Sequence, residues 1–259
     1  MLLVLASRYD RAAEALVARW GGHGARLLTC RDLSRAGWRF DPEDPGGARV
    51  SVGGEVFAAG EIRGVLTRLP SVTPDELPHI VAEDREYVAA EMTAFLTAWL
   101  SSAAFPVVNR PTPVCLMGPN WRPEQWADAA LRAGMRVRRT TLTLRAPRLP
   151  PRAELSEAGA DDTRQAPAAH VTVTVAGGRC FGAADPTQAS SVLRLARAAG
   201  VELLDVEFDG EGREAAFNGA CLAPDVSRPE IADALLARFC SVGEAVTVWG
   251  DSVRDVVAR

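Results

Sequence analysis

The first 28 residues, MLLVLASRYDRAAEALVARWGGHGARLL, decide the fold class of this chain. Residues 2–6 form an unbroken apolar run, which is typical of a strand buried on both faces of a sheet. Asp10 then precedes apolar residues at helical spacing, so it predicts the N-cap of a helix that runs to about Trp20. Three glycines end that helix, and residues 25–29 are predicted to form a second strand. A strand, a helix and another strand in this order predict an α/β protein with a mixed sheet.

The middle of the chain continues the alternation with shorter elements. Gly53 and Gly54 separate the apolar runs 48–52 and 55–58, which is a signal for a two-residue β-hairpin. The elements predicted next are a strand at 64–66, a helix from about Asp84 to Ser101, a strand at 105–109, a helix from Asn120 to Gly134 and a strand at 137–144. The first of these helices has an apolar stripe from Tyr87 to Leu100, and Asn120 is the expected cap of the second.

The last part of the chain consists of a proline-rich segment and a second folded unit. Residues 145–168 contain four prolines and few large apolar residues, so they predict a loop or linker. The elements predicted after it are strands at 171–175 and 179–183, a helix at 189–199, strands at 201–208 and 214–218, a closing helix at 229–239 and an edge strand at 245–249.

Composition argues against several classes of function. The chain carries 29 basic and 33 acidic residues with no long block of either sign, which argues against binding to nucleic acid or a membrane surface. All 29 basic residues are arginine, so no chemistry that needs a lysine amine is open to the chain. No apolar run approaches the roughly 20 residues of a membrane span. The five cysteines are scattered without metal-ligand spacing, which predicts reduced thiols and a cytoplasmic protein.

Three groups of residues carry a resemblance to a known family. The first is the opening strand and helix followed by VLTRLP at 65–70. The second comprises VVNRP at 107–111 and NWRPEQW at 120–126, and the third comprises LLDVE at 203–207 and EAAFN at 214–218. In this order they resemble the ATP-grasp ligases, in particular the microviridin-type branch that modifies ribosomally made peptides.

The resemblance implies a two-part α/β fold. Residues 1–110 are expected to form a pre-ATP-grasp-like domain, and residues 111–144 a linking helix and strand. After the proline-rich loop at 145–168, residues 169–259 are expected to form a reduced, ATP-grasp-like α+β lobe. The family places a small strand-rich lobe with two phosphate-binding lysines where this chain has only the loop, so the clamp for a nucleotide is expected to be missing.

The metal site that the resemblance implies is also incomplete. Asp205 and Asn218 match two magnesium ligands of the family, but Ala216 stands where the bridging glutamate belongs, and Arg122 stands where the family has a lysine. Mg²⁺ prefers a near-octahedral set of oxygen ligands, so the loss of a carboxylate removes both a ligand and a charge. The resemblance therefore predicts a vestigial metal site, no cofactor and no ordinary ATP-dependent ligation.

Each candidate group also has a structural interpretation. Asp205 and Glu207 are two apart on a strand and so share one face, which suits either a metal or proton site or a solvated surface. Trp121 and Trp126 either frame an anion pocket at a helix start, with Arg122 as a bidentate partner, or pack in the core. The two interpretations stay open on the sequence alone.

The leading hypothesis is a non-catalytic or rewired relative of these ligases that binds a peptide or a small anionic metabolite between its two halves. The predicted ligand-binding residues are Arg68, Arg110, Asn120, Trp121, Arg122, Gln125 and Trp126. The first two of these lie at strand ends, where α/β sheets bind their ligands. One alternative is an active ATP-dependent carboxylate–amine ligase that uses Mg-ATP with Asp205 and Asn218. Another is a structural subunit that supports a partner enzyme.

Overall fold

The computed structural model describes residues 1–137, 170–183, 185–210 and 215–252. This part of the chain contains two four-stranded sheets and one two-stranded hairpin, with helices packed against both larger sheets. It is the mixed α/β architecture that the sequence predicts. None of the described helices is long and apolar enough to cross a lipid bilayer. The predicted loop at 145–168 and most of the predicted strand at 137–144 lie outside the described residues.

The first half of the chain builds a parallel sheet and a hairpin. Its elements are β1 (Leu2–Leu5), α1 (Arg11–Arg19), β2 (Ala25–Leu28), α2 (Cys30–Leu33), β3 (Arg49–Val52), β4 (Glu55–Ala58), β5 (Gly64–Thr67), α3 (Arg85–Ser102), β6 (Val107–Val108) and α4 (Pro123–Arg132). The order across the parallel sheet is β2-β1-β5-β6, and β3 pairs with β4 through the predicted glycine turn. Gly53 and Gly54 have φ angles of +61° and +91°, which side-chain-bearing residues rarely adopt.

The predicted start of the first helix is confirmed. The Asp10 side chain accepts a hydrogen bond of 3.0 Å from the Ala13 amide, which satisfies an otherwise unpaired donor of the first turn. Asp32 caps the short helix α2, which the sequence analysis did not predict, by accepting from the Thr29 amide at 3.0 Å. Its other carboxylate oxygen accepts from the Gly53 amide at 2.9 Å, so the helix and the hairpin are held together.

Both faces of the parallel sheet are buried. Leu3 and Leu5 of β1 pack in one cluster with α3 and the hairpin, whereas Leu2 and Val4 pack in a second cluster with α1 and the last helix of the chain. Alternate side chains of a strand point to opposite faces, so an unbroken apolar run is what a sheet covered on both sides requires.

Two local predictions in this half are wrong. Tyr87 does not belong to the buried stripe of α3, because its side chain is 69% exposed at the solvent-facing start of the helix. Asn120 is not the cap of α4. Arg122 takes the N-cap position with an extended backbone, because Pro123 fits the first helical turn and Gln125 binds the Arg122 amide.

The second half builds an antiparallel sheet. Its elements are β7 (His170–Ala176), β8 (Arg179–Phe181), α5 (Pro186–Ala199), β9 (Leu203–Asp209), β10 (Ala216–Cys221) and α6 (Pro229–Ser252). The strand order is β10-β9-β7-β8. Val173 of β7 and Val206 of β9 pack with α4 and α5 in a third apolar cluster on one face. Among the described residues, the opposite face carries mainly polar and charged side chains.

The last helix corrects the prediction of an edge strand at 245–249. These residues continue α6, because the helix that begins at Pro229 meets no proline before Ser252, and its two glycines, Gly243 and Gly250, do not end it. Ile231, Leu235 and Phe239 of α6 pack in the second apolar cluster, which holds residues of the parallel sheet together with Ala176 and Leu203 of the second half. A Cβ atom at Gly64 would lie 2.3 Å from the Phe239 ring, so this glycine permits the close approach. Residues from both halves of the chain therefore share one apolar cluster.

Candidate functional site

The tryptophan cluster forms one wall of a groove between α4 and α5. Trp126 is only 6% exposed and belongs to the third apolar cluster, whereas Trp121 is half-buried with its ring 4.8 Å from that of Trp126, centroid to centroid. Trp121 and Gln125 line the groove, which has a volume of about 600 Å³. Trp126 therefore supports the wall from behind, as the core-packing interpretation expects, and the ring of Trp121 forms the aromatic surface of the groove.

The other groove residues are charged or small and come from both helices. They are Glu124, Asp128, Ala129, Arg132, Ala133, Arg194 and Ala198. Arg194 of α5 donates to the Ala133 carbonyl oxygen at 2.7 Å, which holds the end of α4 against α5. Arg132 and Asp128 form an exposed i,i+4 ion pair of 3.0 Å. The groove thus combines an aromatic wall with two guanidinium groups and two carboxylates.

The structure does not bring the other predicted ligand-binding residues into this groove. Asn120, Arg122 and Arg110 are exposed, and the Arg122 amide donates to the Gln125 side chain at 2.9 Å. Arg68 lies elsewhere, with its Nε 2.7 Å from an Asp10 carboxylate oxygen and its Nη1 2.7 Å from the Pro224 carbonyl oxygen. The Arg68 side chain is only 8% exposed, so solvent screens these two contacts little. Together they join the cap of the first helix to the second half of the chain.

A second candidate site lies on the polar face of the antiparallel sheet. Asp205 of β9 pairs in register with Thr174 of β7, whose hydroxyl donates to an Asp205 carboxylate oxygen at 2.5 Å. Burial raises the pKa of the Asp205 carboxyl, and the neighbouring Glu207 and Asp225 carboxylates act in the same direction. The Thr174 hydrogen bond and the Arg228 guanidinium oppose this shift without cancelling it. Glu207 shares this face with Asp205, as the strand period predicts, and is exposed.

Arg228 supplies the positive charge at this position. Its Nη1 lies 3.5 Å from the Thr174 hydroxyl, and its Nη2 is 2.6 Å from a Glu230 carboxylate oxygen. Asn218 lies at an irregularity of β10, between the pairs that Phe217 and Gly219 make with β9, and is exposed. Ala216 begins the same strand and offers no side-chain oxygen.

Comparison with known proteins identifies the fold. Neither a protein-family model nor a curated protein matches the sequence. Solved structures do match. The macrocyclase MdnC of Microcystis aeruginosa MRC, crystallised with the precursor peptide MdnA, has a TM-score of 0.62 at 11% identity over 91% of this chain and 98% of MdnC. The ligase PsnB, complexed with a minimal precursor, has the same TM-score at 14% identity over 92% and 98% of the two chains.

A third structure agrees with these two. The RiPP-associated ATP-grasp ligase of Chryseobacterium gregarium, in complex with ADP and a leader and core peptide, has a TM-score of 0.56 at 10% identity over 93% of this chain and 96% of its own. This chain has the ATP-grasp fold. The resemblance to the peptide-modifying branch is thereby confirmed at the level of the fold, although fewer than one residue in six is identical.

The described side chains around Asp205 in this ATP-grasp fold offer few oxygen donors for a magnesium ion. One Asp205 oxygen already accepts from Thr174, a guanidinium lies beside it, and Ala216 provides no ligand. Among the described residues, no group of three or more His, Cys, Asp or Glu side chains is arranged to hold a metal ion. Because Mg²⁺ needs several oxygen ligands at about 2.1 Å, the described donor set at Asp205 does not fit it.

Thr174, Arg228 and Arg194 are among the residues of these sites that were absent from the sequence-based set. Thr174 could have been found from the alternation of β7, which places it on the polar face, but its pairing with Asp205 depends on strand register. Arg228 and Arg194 approach their partners through tertiary packing, and no local pattern around them indicates this. The sequence analysis found the tryptophan cluster because two Trp residues at a helix start are unusual.

Proposed function

We propose that this chain is a non-catalytic or rewired relative of the peptide-modifying ATP-grasp ligases, and that it binds a peptide or a small anionic metabolite. The observation that carries the proposal is the surroundings of Asp205, where the family is expected to bind magnesium. Its carboxylate accepts a hydrogen bond from Thr174, and the Arg228 guanidinium lies near enough for its charge to act on it. A guanidinium beside the Asp205 carboxylate repels Mg²⁺. The position is thus poorly suited to the metal that ATP-dependent ligation needs, and the Glu207 and Asp225 carboxylates nearby do not favour an anion there.

The proposed binding surface for the peptide is the groove between α4 and α5. Its volume of about 600 Å³ falls within the range of about 300–1,000 Å³ that is usual for ligand sites. The half-buried ring of Trp121 offers an apolar contact, and Arg132 offers a guanidinium for a carboxylate. The peptide assignment is supported by the fold, since MdnC and PsnB were crystallised with precursor peptides.

The first experiment tests nucleotide binding on the whole protein. A fluorescent ATP analogue is titrated with Mg²⁺, and the thermal midpoint is measured with and without millimolar Mg-ATP. We expect no saturable binding and no rise in the midpoint, because a ligand stabilises a protein only when it binds the native state preferentially. Saturable, magnesium-dependent binding with a rise of several degrees would favour the active-ligase alternative instead.

The second experiment tests the groove. Peptides are selected from a random phage-displayed library on the wild-type protein and measured by fluorescence polarisation. Replacing Ala198 on the exposed surface of α5 by Trp should fill the groove and abolish binding. Ala90→Trp, at an exposed position of α3, is the matched control and should leave binding unchanged. If Ala198→Trp binds every selected peptide as tightly as the wild type, the groove assignment is wrong.

A further inference from the structure

Two arginines extend from the carboxyl edge of the parallel sheet. Leu5 at the end of β1 pairs in register with Leu28 at the end of β2. Arg8 lies three residues after Leu5, and Arg31 lies three residues after Leu28. Both arginines are exposed. Because the two strands run side by side and end together, both guanidinium groups project from the same edge of the sheet. This edge is where α/β sheets commonly bind their ligands.

A third arginine is held at the same edge by its backbone contacts. His79 Nε2 lies 2.8 Å from the Ser34 hydroxyl, which fixes the segment before α3 against the end of α2. Arg85 folds back onto this segment, with its Nε 2.8 Å from the Ile80 carbonyl oxygen and its Nη2 3.3 Å from that of Pro78. Its guanidinium therefore lies next to His79.

The electrostatics of His79 agree with this arrangement. Its pKa is lowered, first by burial and then by the charges of Arg31, Arg8 and Arg85. Three guanidinium groups from separate segments of the chain thus lie close enough to one imidazole to oppose its protonation. We call these three arginines, with His79 between them, the edge cluster.

In the part of the chain that the structure describes, the arginines of the edge cluster are not held in ion pairs, although carboxylates occur in the same segments. Across residues 1–137 and the later described ranges, none of its three arginines forms an ion pair with a carboxylate, in contrast to Arg19 and Arg68. Glu83 and Asp84 precede Arg85, at the start of α3, where negative charge favours the helix N-terminus. The cluster is therefore a positive patch on a chain whose net charge is -4.

Two exposed apolar side chains border the same patch. Tyr9 is 67% exposed, and the Arg8 guanidinium lies 4.6 Å from the centroid of its ring. Val81 is 62% exposed and lies two residues beyond His79. Arginine and tyrosine are enriched in protein–protein contacts, because each combines a polar group with a broad apolar surface. A patch of this composition suits a partner that carries both carboxylates and apolar side chains.

We propose that the edge cluster of Arg8, Arg31 and Arg85, with Tyr9 and Val81, is the docking surface for an acidic segment of a partner protein. Guanidinium groups bind carboxylates through paired, charge-assisted hydrogen bonds. A nucleic acid fits less well, because the patch holds only three cations and the rest of the chain is net negative. The surface is separate from the α4–α5 groove, so the two proposals stand or fall independently.

The test uses the full chain and a short fluorescein-labelled peptide of alternating glutamate and leucine. Binding is followed by polarisation at low salt. Arg8→Gln and Arg31→Gln should each weaken binding about two- to fivefold, which is the effect expected of an exposed ion pair. The matched control is Arg49→Gln, which removes an exposed arginine from the hairpin. It should leave binding unchanged, and added salt should weaken binding to the wild type.

Several results would overturn the proposal. One is equal binding of a glutamine–leucine peptide, which lacks the carboxylates. Another is a loss of affinity in Arg49→Gln as large as that in Arg31→Gln. That result would indicate that the peptide is attracted by exposed arginines in general and not by the edge cluster. A labelled single-stranded oligonucleotide that binds more tightly than the glutamate peptide, with the same sensitivity to Arg8 and Arg31, would assign the patch to nucleic acid. Ala198→Trp should not affect the glutamate peptide, which separates this surface from the groove.

Discussion

The two four-stranded sheets of this molecule bury different numbers of faces. In the parallel sheet, Leu3 and Val4 are neighbours on β1 and are almost completely buried in different apolar clusters. In the antiparallel sheet, Val206 of β9 is buried. Of its two neighbours on the strand, Asp205 is half-buried and Glu207 is exposed. One sheet is a core layer on both sides, whereas the other has a core side and a polar side.

This difference determines where each sheet can act. A sheet covered on both faces can present residues only at its edges, which is where Arg8, Arg31 and Arg68 lie. A sheet covered on one face can present side chains along the length of its strands, and Thr174 and Asp205 do so. The arginines at the first sheet accordingly lie beyond its strand ends, in loops and at helix starts, whereas the Asp205 site lies on strands of the second sheet.

The largest expected effect is a core truncation in the parallel sheet. Leu66 of β5 is completely buried in the cluster shared with α6. Replacing it by Ala should lower the free energy of unfolding by about 3 kcal/mol, because a buried Leu→Ala change combines lost apolar burial with a cavity. Urea denaturation measures the loss. Thr172→Ala, on the exposed polar side of β7, should cost less than about 0.5 kcal/mol. Equal losses of unfolding free energy in the two variants would contradict the difference in burial between the two sheets.

A smaller effect is expected at the joint between the sheets. Asn109 follows β6, is 2% exposed, and donates from Nδ2 to the Leu203 carbonyl oxygen at 2.8 Å. Its Oδ1 accepts from the Glu202 and Leu203 amides at 2.8 and 2.9 Å.

Asn109→Ala should cost about 2 kcal/mol, because it leaves buried polar groups of β9 unpaired. Hydrogen exchange of the Leu203 amide should rise, which a general destabilisation would not single out. Arg110→Ala, the neighbouring exposed position, is the control. An unchanged exchange rate at Leu203 would show that Asn109 does not join the sheets.

The smallest effect is expected on the polar face. Burial raises the pKa of Asp205 in the folded state, so folding becomes less favourable as the pH rises through the carboxyl's titration range. Asp205→Asn should therefore stabilise the protein at pH 7, by less than about 1 kcal/mol because the half-exposed charge is screened by solvent. The gain should vanish at a pH below the ordinary carboxyl pKa, where both side chains are neutral. Thermal melts at the two pH values measure it, and Glu207→Gln is the exposed control.

Much of the fold follows from sequence periodicity. The Asp10 cap, the Gly53–Gly54 turn and the alternation of β9 each depend on local chemistry, and the structure confirms all three. The edge strand predicted at 245–249 was wrong because its valine-rich pattern is compatible with both a strand and a buried helix, and only tertiary packing decides between them.

The candidate sites were harder to predict than the fold. The family resemblance located Asp205, but the positive charge that acts on its carboxylate belongs to Arg228, which lies 23 positions later and beyond β10. Arg68 was predicted as a ligand contact because it ends a strand. Its observed partners, Asp10 and Pro224, come from opposite ends of the chain, and no spacing rule relates them. Residues that meet through long-range packing leave little trace in a single sequence.

The position of α6 has a consequence for how the protein is made. Leu2, Val4 and Leu66 leave the ribosome long before Ile231, Leu235 and Phe239, which pack against them. One face of the first sheet therefore stays uncovered until α6 has been synthesised, although domains usually fold in the order of their synthesis. A nascent chain stalled before residue 229 should still be sensitive to protease in β1 and should recruit chaperones that bind apolar strands.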